Sequence, residues 1–356
     1  MFFSRKQPLI GIDIGSHSIK LVQLKKTSRS YQLLHFGMMP LMPEAIVDGT
    51  IANAGAVVEA LRNLLRMEKI KTKDVATTIS GQSVIVKKIR VPQMTEKELA
   101  ENIQWEAEQH IPFEISEVNI DFQILPSMSS FEEGANNQVD VLLVAARKSK
   151  VDEYTSLIIE SGLNPVVVDT DVFALENEFE INSDSTEDKA IALIDIGAST
   201  MNINVLKGDV TMFQRDIAIG GNRYTSAIQK EFSVSYEQAE ALKMGVGFTE
   251  NRGKSQVLPL MAVVSEEISE EIQRSLEFFR STTAEEVIDR IVLSGGCAKI
   301  KGLDRFLSDR LGLLVEVANP FRKLHYSEKV FDPGYLQEMA PLAAVCVGLA
   351  LRRMND

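Results

Sequence analysis

The sequence has 356 residues, 45% hydrophobic and 25% charged, which is typical of a globular protein with two domains or one bilobed domain. The formal net charge of -12 argues against nucleic acid as a partner and against unaided docking on an anionic membrane. The sequence contains Cys297, Cys346 and four scattered histidines, so it predicts neither a disulfide scaffold nor a zinc site.

The N-terminal residues are predicted to form a small sheet that begins with a tight turn. Leu9–Ile14 has the length and β-branched content of a buried strand, and it ends in Asp13-Ile14-Gly15. Further elements are predicted at Ser18–Lys25 and Tyr31–Gly37, both strands, and at Ala54–Met67, an amphipathic helix. We expect residues 1–81 to form the core of a first half.

Residues 82–150 are predicted to be an inserted subdomain, because the second half of the sequence has no counterpart to them. A strand at Val84–Val91 is followed by a capping box, Thr95-Glu96-Lys97-Glu98, that begins a helix. The apolar stripe of this helix consists of Leu99, Ile103, Ala107 and Ile111. Two further strands are predicted at Asn119–Leu125 and Val139–Ala145, with a polar loop at 127–138 between them. Trp105 lies off the stripe, so it either caps the subdomain core or lies in a groove for a partner.

The chain then returns to the first half and crosses to a second one. A helix at Val151–Ser161, a strand at Val166–Asp169 and a helix at Val172–Phe179 are predicted within residues 151–189. The polar segment Ile181–Lys189 is expected to link the two halves.

The second half is predicted to repeat the first. Its core is assigned to residues 190–213 and 286–336, and a helical subdomain to residues 214–285. The predicted elements are strands at 191–196, 201–206, 210–213 and 288–293, a turn at 207–209, and helices at 224–232, 236–244 (capped by Ser235), 257–280 and 304–311. Residues 337–356 are expected to return to the first half through an apolar helix, Pro341–Arg352. The apolar stretch Met339–Leu351 is expected to be too short to cross a bilayer.

The most informative feature is a segment that occurs twice. Leu9–Lys20 and Ile191–Asn202 align position for position, so that Asp13-Ile14-Gly15 matches Asp195-Ile196-Gly197. Each segment predicts a buried strand and a turn whose backbone N–H groups can hold an anion. A carboxylate repels phosphate unless a hydrated Mg²⁺ lies between them, so the pair favours a Mg-nucleotide over a simple repeated turn signal. The chemical difference within the alignment is Lys20 against Asn202.

Three weaker signals fit the same ligand. Gly220-Gly221 either allows the backbone to approach a ligand or simply turns the chain. Glu240 and Lys243, one helical turn apart, either bind ribose hydroxyls or form an ordinary surface ion pair. Ser294-Gly295-Gly296 follows a buried strand and leaves room for a flat ring at the carboxyl end of a sheet.

The order of these motifs resembles the superfamily of actin, sugar kinases and heat-shock chaperone ATPases. The inserted subdomain of the first half is similar to that of the bacterial branch with FtsA and PilM, and within this branch the sequence more closely resembles the PilM family of type IV pilus assembly proteins. It rests on Leu9–Ser16, Ile103–Phe113, Val167-Val168-Asp169 with Ala174-Leu175, and Gly348–Arg352. The resemblance covers nearly the whole chain and implies an α/β, actin-like, bilobed ATPase fold with an FtsA-type inserted subdomain.

The resemblance also implies ligands and site residues. ATP would lie between the halves, with Mg²⁺ held through water by Asp13 and Asp195. The implied nucleotide-binding residues are Gly15, Ser16, Ser18, Lys20, Gly197, Ser199, Thr200, Gly220, Gly221, Glu240, Lys243, Gly295 and Gly296. The implied partner is the cytoplasmic N-terminal tail of PilN, in a groove near Trp105, Ile111, Pro112 and Phe113, and further partners are other inner-membrane pilus proteins and motor ATPases. The chain is expected to be cytoplasmic, to meet the membrane only through partners, and to serve twitching motility.

Weak ATP hydrolysis or none is expected. Phosphoryl transfer needs a group that positions the attacking water, and the candidates after the strand Val166–Val168 are Asp169 and Asp171. An aspartate is shorter than the glutamate or glutamine common in the superfamily, so its reach is limited.

Three rival assignments follow from the same superfamily. A sugar kinase would need an aspartate base in a substrate pocket, and no such motif is seen. A self-assembling FtsA-like filament is the stronger alternative, but FtsA-like proteins end in an amphipathic membrane helix, whereas Pro341–Arg352 is nearly all apolar. The secretion protein GspL has a related region that continues into a transmembrane helix, and because this sequence ends at Asp356 we expect the pilus branch.

Overall fold

The structure is a computed structural model that describes residues 9–28, 30–47, 49–125, 138–183, 189–208, 210–249, 253–283 and 286–352. The chain forms two compact units: unit 1 contains residues 1–78 and 157–356, and unit 2 contains residues 79–156. Most of the predicted polar loop at 127–138, part of the predicted linker at 181–189 and Asp209 of the predicted turn lie outside the described residues.

The strands and helices follow the predicted order with several additions. The strands are β1 (Ile10–Ile14), β2 (Ser18–Lys26), β3 (Tyr31–Pro40), β4 (Ile46–Val47), β5 (Thr50–Ile51), β6 (Asp74–Ile79), β7 (Val84–Pro92), β8 (Val118–Ile124), β9 (Gln138–Arg147), β10 (Asn164–Thr170), β11 (Ala190–Ile196), β12 (Met201–Lys207), β13 (Val210–Ile217), β14 (Ile288–Ser294) and β15 (Leu314–Val317). The α-helices are α1 (Ala54–Met67), α2 (Glu96–Glu108), α3 (Lys148–Glu160), α4 (Asp171–Asn182), α5 (Gly221–Phe232), α6 (Tyr236–Lys243), α7 (Lys254–Thr282), α8 (Leu303–Leu311), α9 (Pro333–Met339) and α10 (Ala344–Leu351).

Unit 1 contains two five-stranded sheets with the same strand order. Read from corresponding edges, the first is β10-β6-β1-β2-β3 and the second is β15-β14-β11-β12-β13. In each sheet the strand that carries the Asp-Ile-Gly run pairs antiparallel with the next strand and parallel with a later one, β6 or β14. The duplication predicted from the aligned segments is therefore confirmed in the backbone.

Helices α4 and α10 lie in the core between the two sheets. They share one hydrophobic cluster with residues of both, among them Ala76 of β6 and Leu193 of β11. A Cβ at Gly348 would overlap the carbonyl oxygen of Ala174, so the two helices cross in direct backbone contact that only glycine permits. The final apolar helix thus packs against elements of both halves of unit 1.

The C-terminal helical stretch is longer than predicted. The 19 residues Pro333–Leu351 contain an 18-residue window with a mean hydropathy of 1.4 and are, by length and composition alone, long and apolar enough to cross a membrane. The stretch Met339–Leu351 was therefore wrong as the longest apolar candidate. The 18-residue window is 67% buried inside the protein, as expected of a helix that forms part of a core.

Unit 2 is a three-stranded antiparallel sheet, β7-β9-β8, with α2 packed on it. The capping box of Thr95 and Glu98 forms as predicted, and the predicted apolar stripe of the helix is buried. Trp105 is 73% exposed, so the alternative that it caps the core of the subdomain was wrong.

Several elements and limits differ from the prediction. Strands β4, β5, β6 and β15 and helix α9 were not predicted. The assigned limits 150/151, 213/214 and 336/337 fall inside α3, β13 and α9.

Candidate functional site

The two Asp-Ile-Gly segments form matching hairpins, here called the first and second turns (residues 15–18 and 197–200). The Gly15 N–H donates to the Ser18 carbonyl oxygen at 3.2 Å, and the Gly197 N–H donates to that of Thr200 at 2.9 Å. Asp13 is the cross-strand partner of Lys20, as Asp195 is of Asn202. The register thus reproduces the alignment residue by residue.

The two turns meet. The Ser16 and Ser199 hydroxyl oxygens are 2.6 Å apart and share a hydrogen bond, although 183 residues separate them in the chain. Of the other hydroxyl residues, Thr200 is half-buried and Ser18 is 1% exposed. Hydroxyls from both halves of unit 1 therefore converge on one point.

The first turn carries a compensated charge. The Lys20 ammonium donates to the Asp13 carboxylate at 2.9 Å, and each side chain is 15% exposed. Burial alone would lower the pKa of Lys20, but the carboxylate of Asp13, with a smaller contribution from Asp195, raises it above the usual range. This lysine is fully charged at neutral pH.

The second turn holds its aspartate differently. The Ser294 hydroxyl donates to the Asp195 carboxylate at 2.8 Å. Burial raises the pKa of Asp195 to about 6, the hydrogen bond from Ser294 opposes this shift, and the charge of Asp13 adds to it. The residue equivalent to Lys20 is Asn202, whose amide donates to Asp216 at 2.9 Å.

Gly220 and Gly221 support the second turn. The Gly221 N–H donates to the carbonyl oxygen of Gly197 at 2.9 Å, and the Asn222 N–H donates to that of Ala198 at 2.7 Å. A Cβ at Gly220 would lie 2.6 Å from the same Gly197 oxygen. The close approach that Gly220 permits is to the turn itself, and a ligand contact by either glycine stays a prediction.

The two glycines after β14 have different environments. Gly295 has a φ of +85° and its Cβ position would overlap the backbone of Ile196, so it packs beneath the second turn. A Cβ at Gly296 would meet no atom within 4 Å. Gly296 is exposed with free space beside it, whereas Gly295 is packed against the second turn, and the site for a flat ring stays a prediction.

Glu240 and Lys243 form a buried network with Thr225. The Lys243 ammonium donates to Glu240 at 2.6 Å and to Thr225 at 3.1 Å, and the Thr225 hydroxyl donates to Glu240. Because the Lys243 and Glu240 side chains are 9% and 19% exposed, the alternative of an ordinary surface ion pair was wrong. The network adjoins the start of α5, where Lys243 reaches the carbonyl oxygen of Gly221 at 3.5 Å.

Three residues near the turns make contacts that were not predicted from the sequence. Thr78, at the end of β6, donates to Asp171 at the start of α4. His17, in the first turn, contacts the Tyr236 hydroxyl at the start of α6, with 3.2 Å between Nδ1 and the phenol oxygen. Ser294 lies in register with Asp195, at the end of a strand parallel to β11. Thr78 lies near the end of β6, which is parallel to β1. This position at the end of a parallel strand was the signal that could have found both residues.

Within the described residues, no group of three or more His, Cys, Asp or Glu side chains is placed to hold a metal ion.

A protein-family model described as "Type IV pilus assembly protein PilM" matches residues 11–354. The chain belongs to the PilM family. A solved structure described as the PilM-PilN type IV pilus biogenesis complex is similar at a TM-score of 0.87 and 32% sequence identity, covering 99% of this chain and 100% of that one.

More distant solved structures share the fold. The ethanolamine utilization protein EutJ of Carboxydothermus hydrogenoformans has 15% identity and a TM-score of 0.57, and the alignment covers 97% of this chain and 92% of EutJ. MreB5 of Spiroplasma citri bound to ADP has 14% identity and a TM-score of 0.52, with coverage of 96% and 94%. The predicted actin-like fold is confirmed.

Two segments that carried the resemblance to the PilM family contact each other in unit 1. Arg352, after α10, donates to both oxygens of Asp169 at 2.5 and 3.0 Å, and Gly348 meets Ala174 as described above. Because the carboxylate of Asp169 is 6% exposed and bound by Arg352, the interpretation of Asp169 as a water-positioning residue was wrong. Asp171 is the remaining candidate.

The third segment of the resemblance lies in unit 2. Trp105 and Pro112 are exposed, whereas Ile111 is 6% exposed and packs in the core of the unit, so its assignment as a direct partner contact was wrong. Phe113 is half-buried beneath the guanidinium of Arg147, whose carbon lies 4.2 Å from the ring centroid.

Proposed function

We propose that this PilM-family protein is a nucleotide-gated adaptor of the type IV pilus machine. It binds Mg-ATP between the two turns of unit 1, binds the cytoplasmic tail of PilN, and relays its nucleotide state to that partner. The observation that carries the nucleotide site is the Ser16–Ser199 contact, because it brings two anion-binding turns to one point. The observation that carries the partner is the similarity to a PilM-PilN complex along the whole chain.

The residues around the turns fit a Mg-nucleotide. Lys20 supplies a positive charge, Asp13 and Asp195 would orient the waters of a magnesium ion, and Gly296 borders open space. The residues proposed to hold the nucleotide are Gly15, Ser16, Ser18, Lys20, Gly197, Ser199, Thr200, Glu240, Lys243 and Gly296. Gly220, Gly221 and Gly295 support the second turn. Bound Mg²⁺ would supply the charge that neutralises the phosphates.

Slow ATP turnover or none is part of the proposal. Asp171 lies at the start of α4 and accepts a hydrogen bond from Thr78, which orients its carboxylate. A short side chain that is already engaged is poorly suited to hold an attacking water in line. The nucleotide would then act as a ligand that shifts the equilibrium between two conformations, and its hydrolysis would not drive the change.

The adaptor role follows from linkage. A ligand shifts a conformational equilibrium only if it binds the two states with different affinity, so ATP and the PilN tail must change each other's affinity by the same factor. Trp105, Pro112 and Phe113 are the proposed partner contacts of unit 2. We place the protein in the cytoplasm, attached to the inner membrane through PilN and other pilus proteins, with roles in motor contact and twitching motility.

Isothermal titration calorimetry of the full chain tests both parts. Mg-ATP should bind the unchanged protein, Asp13→Ala or Asp195→Ala should abolish binding, and Asp309→Ala on the exposed surface of α8 should leave it unchanged. Unchanged ATP affinity in the first two variants would refute the shared nucleotide site.

A peptide copying the PilN cytoplasmic tail tests the adaptor. It should bind when Mg-ATP is present, change the emission of Trp105, and alter ATP affinity by the factor by which ATP alters its own. Absence of peptide binding with ATP present would refute the adaptor role and leave the nucleotide site standing.

A further inference from the structure

A second contact joins the halves of unit 1 beside the Ser16–Ser199 bond. Nδ1 of His17 lies 3.2 Å from the Tyr236 hydroxyl, and the two ring centroids are 6.4 Å apart. His17 belongs to the first turn, and Tyr236 is the first residue of α6, the helix that carries Glu240 and Lys243. The contact therefore ties the first turn to the proposed ribose end of the nucleotide site.

The chemistry of the two groups gives the bond a direction. Burial raises the pKa of Tyr236 to about 12, with Glu240 and Glu237 adding to the shift, so the phenol keeps its proton. Partial burial lowers the pKa of His17, whose side chain is still exposed at one side. Lys243 and Lys20 lower it further, and Glu240 opposes them. The imidazole is therefore neutral at neutral pH, and we assign it the Nε2–H tautomer, in which Nδ1 accepts the phenol proton.

The His17–Tyr236 contact belongs to the first turn, and the second turn makes a different contact at the equivalent position. In the alignment of the two turns, the residue equivalent to His17 is Ser199, whose hydroxyl is bonded to Ser16. The two contacts thus form an inner bond between the turns and an outer bond between the first turn and α6. Both must break before the first turn can separate from the second half.

We propose that His17 and Tyr236 are positioning residues that close the nucleotide site at its ribose end and set the rate of nucleotide exchange. This inference rests on the proposed nucleotide site. Entry and release both require the first turn to move away from α6, so the outer bond opposes both steps. A bond that is intact in the free and bound states and broken only in the open one changes the two rates equally and leaves the dissociation constant unchanged.

Stopped-flow measurements with a fluorescent ATP analogue and Mg²⁺ test the proposal on the full chain. Tyr236→Phe keeps the ring and removes the hydroxyl, and the loss of one neutral hydrogen bond should speed association and release by about fivefold each. The dissociation constant should stay within about twofold. Tyr335→Phe, which removes a hydroxyl from a tyrosine packed on Phe36, is the matched control and should change neither rate.

Two substitutions of His17 separate the effect of losing the hydrogen bond from the effect of losing the ring. His17→Asn keeps an acceptor near the position of Nδ1 and should retain slow exchange, whereas His17→Ala should match Tyr236→Phe. A raised dissociation constant with unchanged association would show a direct nucleotide contact and overturn the proposal, as would unchanged rates in Tyr236→Phe.

The bond can also be examined without nucleotide, so that failure of the proposed function is recognised separately. Nitrogen-15 NMR of the His17 ring should show the proton on Nε2, and Tyr236→Phe should change the Nδ1 shift. A proton on Nδ1 at neutral pH would overturn the proposed bond. The expected NMR result in a protein that binds no ATP would mean that the nucleotide site, and the exchange role with it, is wrong.

Discussion

The first and second turns share one backbone but compensate the charge of their aspartates in different ways. Asp13 is paired with a lysine ammonium at 2.9 Å, whereas Asp195 accepts a serine hydroxyl at 2.8 Å and has a pKa raised to about 6 by burial. The residue equivalent to the lysine is Asn202, which is turned to Asp216. A duplicated backbone can therefore support two different electrostatic roles.

This difference assigns the two turns complementary tasks within the proposed site. The Lys20–Asp13 pair is neutral as a whole, so the free protein holds no uncompensated buried charge at this turn. When a phosphate binds, the ammonium can shift toward it. Asp195 is destabilised as an anion, and an arriving divalent cation relieves that cost. We therefore place phosphate recognition mainly on the first turn and recognition of the hydrated cation mainly on the second.

The largest expected effect compares Lys20→Met with Asn202→Leu. Loss of the ammonium removes a charged hydrogen bond to phosphate and exposes the phosphate to Asp13, so Mg-ATP affinity should fall about 100-fold, or about 2.7 kcal/mol. Asn202→Leu should cost less than about threefold, because Asp216 keeps its bond from Gln214. Calorimetric titration of both variants measures the contrast, and equal losses would show that the turns act symmetrically.

The sequence predicted the backbone of these turns because their information is local. A strand ending in Asp-Ile-Gly fixes a hairpin within about twelve residues, and the caps at Thr95 and Ser235 likewise depend on residues three positions apart. The same local patterns were sufficient to find most helices. The identical register of the two hairpins then follows from the alignment alone.

The side-chain partners were harder to predict because they come from distant parts of the chain. Strand β6 was missed since Thr77 and Thr78 are buried polar residues that interrupt its apolar pattern, and the Thr78–Asp171 bond was missed with it. The contact of Arg352 with Asp169 spans 183 residues. One sequence carries no signal for which distant residues meet, so these contacts required the structure.

A second comparison uses the stability of the protein without nucleotide or magnesium. Asp13→Asn removes the carboxylate that compensates the mostly buried Lys20 ammonium, so it should lower the free energy of unfolding by about 2 kcal/mol. Asp195→Asn removes a carboxylate that burial disfavours and should raise it by about 1 kcal/mol near pH 8. Urea unfolding of both variants measures these opposite signs, and a loss of stability in Asp195→Asn would contradict the assignment.

The pH dependence of urea unfolding tests whether the buried Asp195 carboxylate causes the difference in stability. The pKa of Asp195 is raised from 3.8 to about 6 in the folded protein, so the folded state holds this proton more tightly than the unfolded state does. The contribution of Asp195 to stability is therefore present below the unfolded pKa and is lost as the pH rises through about 6. Asp195→Asn should lack this loss, and its advantage over the unchanged protein should disappear near pH 4.

The smallest expected effect compares the hydroxyls at the ends of the parallel strands β6 and β14. Ser294→Ala removes the hydrogen bond that favours the charged form of Asp195, so its pKa should rise and Mg-ATP affinity should fall about fivefold, or about 1 kcal/mol. Thr78→Val should leave affinity within about twofold, because Thr78 orients Asp171 rather than either turn. Calorimetry of the two variants measures this contrast. Equal losses would mean that Asp171 also contributes to nucleotide binding, and the division of tasks between the two turns would then extend to the start of α4.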